Sequence, residues 1–136
     1  MRGEAFPDSG YRHDVSHRLT PVDPTHPVVR GLEEGFEITD EVYLCPVFEN
    51  DVEPLLRSDF VFLAKNFHSA AEALRGRMHS SQGWSHPPGS NLAAWTHTVG
   101  RSTVVTIVCG DGPPAFANPA LRRLLGNAIR FVSGSA

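Results

Sequence analysis

Residues 103–132 read TVVTIVCGDGPPAFANPALRRLLGNAIRFV and carry the strongest fold signal in the chain. Residues 103–109 are apolar almost throughout, which is typical of a strand that is covered on both faces. The glycines and prolines of residues 110–114 predict a turn, and a helical pattern follows. This segment therefore predicts a buried strand, a polar loop and an amphipathic helix, an arrangement that favours an α/β fold whose ligand meets the loop.

The predicted helix begins after Asn118, whose side chain is a good cap, and it has Pro119 at its first position. Its apolar residues recur at helical spacing and predict one buried stripe: Leu121, Leu124, Leu125, Ala128, Ile129 and Val132. Its polar residues predict the side that faces solvent: Arg122, Arg123, Asn127 and Arg130.

The rest of the chain predicts strands and loops with little helix. Residues 92–98 and 103–109 flank Gly100, a pattern typical of a β-hairpin. The spacing of Ser69 and Glu72 predicts a capping box at the start of a short helix. The remaining predicted elements are strands at residues 15–22, 36–48 and 52–62, a helical turn at 28–32, and loops at 1–14 and 83–91.

The composition is that of one globular domain. The chain has 136 residues, of which 40% are hydrophobic and 20% charged, so disorder and fibrous repeats are excluded. The net charge is −3 and no run of bases is interleaved with aromatics, so we expect no nucleic-acid partner. The apolar runs are too short for a membrane span. Cys45 and Cys109 lie in apolar, strand-like surroundings, and the 136-residue sequence opens with MRGE rather than with the pattern of a signal peptide, so we expect a cytoplasmic location.

Glu41 and Tyr43 lie two residues apart in a predicted strand, so their side chains would share one face. A carboxylate and a phenol placed together could act on one substrate, with Asp40 beside them. The alternative is a turn aspartate, a solvated glutamate and a half-buried tyrosine, and spacing alone favours that alternative.

Trp95 and His97 have the same spacing in the predicted hairpin. An indole can stack on a sugar ring while a neighbouring imidazole hydrogen-bonds it. The alternative, a core tryptophan beside an exposed histidine, carries equal weight on the residues alone.

Asp111 lies between two glycines directly after the predicted buried strand. Open α/β sheets receive ligands outside the carboxyl ends of their strands, so Asp111 is a candidate acid, base or ligand clamp. The alternative is a simple turn former.

Other catalytic patterns are missing from the sequence. The seven histidines are scattered, and there is no HExxH motif, no paired CxxC motif and no glycine-rich phosphate loop. Cys109 lies in VCGDG, which is not a nucleophile elbow. We therefore expect no cofactor and no metal site.

Four segments together resemble the ThuA-like (trehalose utilisation) family: VDPTHPVVRGL at residues 22–32, FEITDEVYLCPVF at 36–48, LAAWTHTVG at 92–100 and GDGPPAFANPALRRLLGNAIRFV at 110–132. The resemblance implies a flavodoxin-like (class I glutamine amidotransferase-like) three-layer sandwich with a carbohydrate site. Because family domains are normally longer, it also implies that residues 1–136 form a partial ThuA-like domain whose N-terminal βαβ portion is missing.

The resemblance extends to Asp40, Glu41, Tyr43, Trp95 and His97, whereas Asp111 stands where relatives often have histidine. The resulting hypothesis makes Glu41, His97 and Asp111 catalytic, and it assigns substrate binding to Asp40, Tyr43 and Trp95.

The function that follows is a protein that acts on or binds a sugar in trehalose-type catabolism, with hydrolase-like chemistry if it is an enzyme. The alternatives are a non-catalytic module that binds a carbohydrate or a partner, and an inactive truncated fragment. We also expect a homodimer through an exposed sheet edge, because an open strand edge invites pairing.

Overall fold

Six strands form one sheet in residues 8–134, which are the residues that this computed structural model describes. The strands are β1 (Gly10–Pro21), β2 (Phe36–Leu44), β3 (Glu53–Ser58), β4 (His68–Ser69), β5 (Leu92–Val99) and β6 (Ser102–Ile107). The α-helices are α1 (Ala70–Leu74), α2 (Pro113–Ala117) and α3 (Pro119–Ser133), and short 3-10 helices lie at Pro27–Val29, Glu49–Asp51 and Ala64–Asn66.

The strand order is β2-β1-β3-β5-β6, with β4 paired to β1. Every strand pairing in residues 8–134 is antiparallel. The sheet is combined with three α-helices, so the predicted α/β class is confirmed at the coarse level. The parallel sheet of a flavodoxin-like three-layer sandwich is not seen in this part of the chain.

Strand β1 begins earlier than predicted. Residues 10–12 pair with residues 42–44 of β2, so the predicted loop at 1–14 is wrong over residues 10–14. The register shifts between Arg12 and Val15, and Asp14 has a φ of 52°, which marks a β-bulge. A bulge interrupts the alternation of polar and apolar residues, which is why the pattern missed this end of the strand. The part of the prediction that falls on residues 1–7 lies outside the described residues.

One face of β2 contributes to two hydrophobic cores. Phe36 and Ile38 belong to a large core under α3, whereas Val42 and Leu44 belong to a smaller one with Phe67. Asp40 lies on the same face between them and is buried. A carboxylate in that position needs hydrogen-bond donors.

Helix α3 confirms its predicted start, because the Asn118 side chain accepts hydrogen bonds from the backbone N–H groups of Ala120 and Leu121. Leu121, Leu124 and Ala128 of the predicted stripe are buried.

The orientation of the rest of α3 differs from the prediction. Asn127 was expected to face solvent, yet it is buried and its amide donates to the carbonyl oxygens of Val28 and Arg30, at 3.0 and 2.9 Å. Ile129 was expected in the core, yet its exposed fraction is 67%. The helix turns Asn127 inward because the carbonyl groups of residues 28 and 30 need a hydrogen-bond donor. An asparagine can supply that donor and an isoleucine cannot.

Strand β6 is at the edge of the sheet and pairs with β5 alone. Its side chains are not covered on both faces, so the expectation of a strand buried on both faces is wrong. Residues 104–107 are half-exposed. The sequence predicted an apolar strand correctly, but the tertiary structure decides whether other elements cover the two faces and the edge of that strand.

Several local predictions are confirmed. β5 and β6 form the predicted hairpin around Gly100, whose φ is 60°. Ser69 caps α1 by accepting from the N–H of Glu72, although the Glu72 carboxylate pairs with Arg75 and Arg77 and does not return to the cap. The sequence did not predict the five-residue helix α2, which begins in the predicted turn at residues 110–114 and continues to Ala117. None of the helices in residues 8–134 combines the length and the apolar character that crossing a membrane requires.

Candidate active site

Asp40 fixes the loop that follows β6. Its carboxylate accepts from the backbone N–H groups of Gly110 at 2.6 Å, Asp111 at 3.2 Å and Glu41 at 2.9 Å. These donors satisfy a buried carboxylate, so Asp40 positions the loop. Its predicted contact with substrate stays a prediction.

The same loop contacts β2 a second time, through a side chain. The Tyr43 hydroxyl donates to Asp111 Oδ1 at 2.8 Å. Asp40 and Tyr43 lie on opposite faces of β2, and β2 pairs along one side only, with β1. The loop therefore runs past the free edge of β2 and brings Asp111 to Glu41 and Tyr43.

Glu41 lies within hydrogen-bonding reach of Asp111 and Tyr43. Burial raises the pKa of Glu41 above its usual value, and the hydrogen bond and the negative charge of Asp111 add to that effect, while His13 opposes it. The pKa of Tyr43 is raised by burial and by its hydrogen bond to Asp111. A carboxyl group with a raised pKa keeps its proton to higher pH, so Glu41 has the chemistry of a general acid.

His13 is a member of the site that sequence reasoning did not single out. Its Nδ1 lies 3.3 Å from Glu41 Oε2. Its ring also packs edge-on against Tyr11, with 5.0 Å between ring centroids. The bulge at Asp14 directs this side chain, and nothing in the local pattern indicates the bulge.

An apolar cavity of about 230 Å³ lies beside the cluster. Glu41, Tyr43 and Trp95 line it, so the predicted aromatic plate and the predicted carboxylate meet there. The other lining residues are His17, Val42, Cys45, Val47, Ser58, Phe62, Ser90, Leu92, Ala93, Val108 and Cys109. We call this space the inner cavity.

A second concave surface lies on the other side of Glu41 and Tyr43. It is lined by Ser9, Tyr11, His13, Glu41, Tyr43, Ala70, Ala73, Leu74 and Met78, and we call it the outer groove. Leu74 and Met78 expose much of their side chains there. Glu41 and Tyr43 therefore belong to both surfaces and mark the place where they meet.

His97 is not among the residues that line the inner cavity or the outer groove. It pairs with Val104 of β6, two residues beyond Trp95 on β5. The structure thus gathers Asp40, Glu41, Tyr43, Trp95 and Asp111 around one place and leaves His97 outside it.

The two thiols that line the inner cavity are poor nucleophiles. Burial raises the pKa of Cys45, and burial together with the charge of Asp40 raises the pKa of Cys109 to about 12. A thiol reacts as its thiolate, so neither group is activated. Within residues 8–134, no cluster of three or more histidine, cysteine or acidic side chains is arranged to hold a metal ion.

The chain matches the model of a known protein family. The family model named ThuA and described as trehalose utilisation matches residues 3–132, which is nearly the whole chain. No curated protein matches the chain.

Proposed function

The chain belongs to the ThuA, or trehalose utilisation, family, and from this premise we propose that it binds a sugar of two linked rings and transfers a proton at Glu41. Family membership implies a role in trehalose utilisation. The identity of the sugar and the reaction are the parts that the proposal adds.

The observation that carries the proposal is the position of Glu41 and Tyr43 between two concave surfaces. One ring would lie in the inner cavity, where Trp95 offers an aromatic face for stacking. The second ring would lie in the outer groove, against Tyr11 and Met78. The atoms that join the rings would then pass beside the Glu41 carboxyl.

The chemistry of the cluster supports proton transfer at that junction. A raised pKa keeps Glu41 protonated to higher pH, so it can donate to an oxygen of the substrate. Asp111 can accept a hydrogen bond from the protonated Glu41 carboxyl, and Tyr43 orients Asp111 by donating to its Oδ1. His13 can exchange the proton with solvent, because its side chain is 41% exposed and reaches Glu41 Oε2.

A typical glycosidase separates its two carboxyl groups by roughly 5–9.5 Å, with the sugar or a water molecule between them. Glu41 lies within hydrogen-bonding reach of Asp111, so the two carboxyl groups supply one acid–base unit and not two opposed groups. In a hydrolase-like reaction, Glu41 would protonate the leaving oxygen as its bond to carbon breaks, while a water molecule forms the new bond to that carbon and releases a proton to the Glu41 carboxylate or to solvent. His97 lies outside the cavity and receives no step in this mechanism.

The test is the substitution Glu41→Gln, measured for turnover across trehalose, other disaccharides and their oxidised derivatives. Losing a general acid costs about 10²–10⁴-fold in rate, and we expect a loss in that range with binding retained. Glu37→Gln on the same strand is the matched control, because Glu37 is exposed and pairs with Arg18. Unchanged turnover in Glu41→Gln would remove Glu41 from the mechanism.

A non-catalytic sugar-binding module is the second candidate. The observation in its favour is that the only thiols in the inner cavity have raised pKa values, so covalent catalysis by cysteine has no support. Calorimetry that detects sugar binding, together with no turnover of any sugar in the panel, would favour this candidate over the first.

The proposed partner is a second copy of the chain, paired through β6. This strand is an open edge, its sequence STVVTI has no charge that would oppose pairing, and an antiparallel neighbour would continue the sheet. We expect light scattering to give the mass of a dimer, and Thr106→Lys to give the mass of a monomer. A monomer at every concentration of the parent protein would contradict the proposal.

A further inference from the structure

Three histidine rings meet beside the outer groove, and the proposed proton transfer uses one of them, His13. The other two, His68 and His79, belong to residues 68–79, which we call the outer segment. The ring centroids of His68 and His79 are 5.2 Å apart, and those of His13 and His79 are 5.9 Å apart. All three rings also pack around Tyr11 of β1. The histidines therefore meet where the outer segment lies against β1.

His68 faces a cation of β1. Its Nε2 lies 3.4 Å from Arg12 Nη1. A guanidinium can only donate, so Nε2 accepts and the proton of the neutral ring is on Nδ1. A second proton would place an N–H on Nε2, and two positively charged donors would then face each other. Nδ1 is buried without a hydrogen-bond partner among residues 8–134, so a charged ring gains no compensation on that side.

The nearby carboxylates are engaged with other groups. Glu41 of β2 lies against His13. Glu72 pairs with two arginines of the outer segment. Asp8 accepts hydrogen bonds from the Ser69 hydroxyl and from the N–H of Ala71, at the start of α1. Burial lowers the pKa of His68, and the positive charges of Arg12 and of the two other histidines lower it further. The closed arrangement therefore favours a neutral His68.

The outer segment is held lightly between two anchors. Phe67, directly before it, is buried, and Trp84, after it, packs against the smaller core. Between these anchors, the pairing of β4 with β1 involves two residues of each strand, and α1 is five residues long. Leu74 of α1 is 91% exposed. A segment with so little buried apolar surface can open locally while the rest of the fold stays intact.

We propose that His13, His68 and His79 form a pH-sensitive latch, which holds the outer segment closed against β1 at neutral pH and releases it in mildly acidic solution. Opening removes one part of the wall of the outer groove, because the outer segment supplies Ala70, Ala73, Leu74 and Met78 to it. The latch is a property of the chain by itself. Its effect on the binding of a sugar rests on the proposed function.

Acid weakens closure because the pKa of His68 is lower when the segment is closed than when it is open. The open segment then binds a proton more readily. Closure is most stable above the ordinary histidine pKa of about 6.5 and weakens as the pH falls through that value. One unit of difference between the two pKa values corresponds to at most a tenfold change in the opening equilibrium.

The test is amide hydrogen exchange of the full chain without ligand, measured by NMR at pH 7.5 and pH 5.0. Two amides report on the latch, because Ala70 N–H donates to the carbonyl oxygen of Ser9 and His79 N–H donates to the Tyr11 hydroxyl, both at 2.9 Å. After correction for the intrinsic effect of pH on exchange, we expect the protection of both amides to fall about tenfold at pH 5.0.

Two substitutions identify the groups that cause the effect. His68→Gln keeps an acceptor for Arg12 but cannot be protonated, so we expect protection at pH 7.5 to persist and most of its pH dependence to disappear. Arg12→Gln removes the facing cation, so we expect an NMR titration to show a higher pKa for His68. The matched control is His97→Gln on β5, outside both concave surfaces, and it should keep the pH dependence of the parent.

The proposal is overturned if the Ala70 and His79 amides of the parent keep their protection at pH 5.0, or if a folded His68→Gln protein keeps the parent's pH dependence. It is also overturned if Arg12→Gln leaves the pKa of His68 unchanged, a result that decides the matter even where His68→Gln does not fold. None of these measurements involves a sugar, so turnover of the sugar panel would leave the proposed function standing. Opening in acid by a protein without sugar binding or turnover would support the latch and refute the proposed function.

Discussion

Residues 103–132 contain two contrasting regions: the loop at residues 110–111, and an apolar groove between β6 and α3. The groove is lined by Thr103, Val104, Val105, Ile107, Leu125, Ala128, Ile129 and Val132. The Asp40 carboxylate accepts hydrogen bonds from two backbone N–H groups of the loop, and the Tyr43 hydroxyl donates to the side chain of Asp111. The groove is apolar and open, with Ile129 67% exposed. The difference shows that hydrogen bonds to a distant strand hold the loop, whereas the groove leaves an apolar surface exposed.

The largest expected effect comes from removing the anchor of the loop with Asp40→Ala. Three backbone N–H groups lose a buried charged acceptor, and we expect the free energy of unfolding to fall by about 3 kcal/mol. Urea denaturation measures the loss. The matched control is Glu37→Ala on the same strand, whose exposed pair with Arg18 is worth about 0–1 kcal/mol. Equal effects of the two changes would show that Asp40 does not anchor the loop.

A smaller effect separates the two faces of α3. Asn127→Ala removes two hydrogen bonds to the carbonyls of Val28 and Arg30, and we expect a loss of about 2 kcal/mol. Ile129→Ala, two residues further along the helix and on its open face, is expected to change stability by about 0.5 kcal/mol or less. Thermal or urea unfolding checks both. If Ile129→Ala cost more than Asn127→Ala, the orientation of α3 would be wrong.

The smallest effect is a dependence of stability on pH that comes from Glu41. The pKa of Glu41 is raised in the folded state, so its contribution to stability is fully present below its ordinary value of 4.5 and is lost as pH rises through the folded pKa. Glu41→Gln keeps a neutral side chain at every pH. We therefore expect its Tm, relative to the parent, to increase as pH rises from about 4.5. Glu37→Gln is the control for the loss of one negative charge. A difference in Tm between Glu41→Gln and the parent that stays constant with pH would refute the prediction.

Elements that depend on neighbours in sequence were predicted well. The β5–β6 hairpin follows from Gly100, the start of α3 from Asn118 and Pro119, and the start of α1 from Ser69. Each of these rests on hydrogen bonds or backbone angles within a few residues, which a sequence pattern records directly.

The candidate site was predicted in part. Alternation along β2 and β5 indicated Glu41, Tyr43 and Trp95 as residues of shared faces, and the structure places all three around the inner cavity. His17 has the same alternation between Val15 and Leu19, which was a usable signal. His13 had none, because the bulge that positions it is a property of strand pairing.

The sequence alone determined the kind of each main element, the caps of its helices, the hairpin and the family, because these depend on local backbone preferences and on recognisable motifs. Only the tertiary structure decided that β6 is an edge, that Asn127 and not Ile129 is buried, and that Asp40 holds the loop. These outcomes depend on which distant group meets a given side chain. The energy of burying a polar or an apolar atom is set by that neighbour, and the order of residues along the chain does not record it.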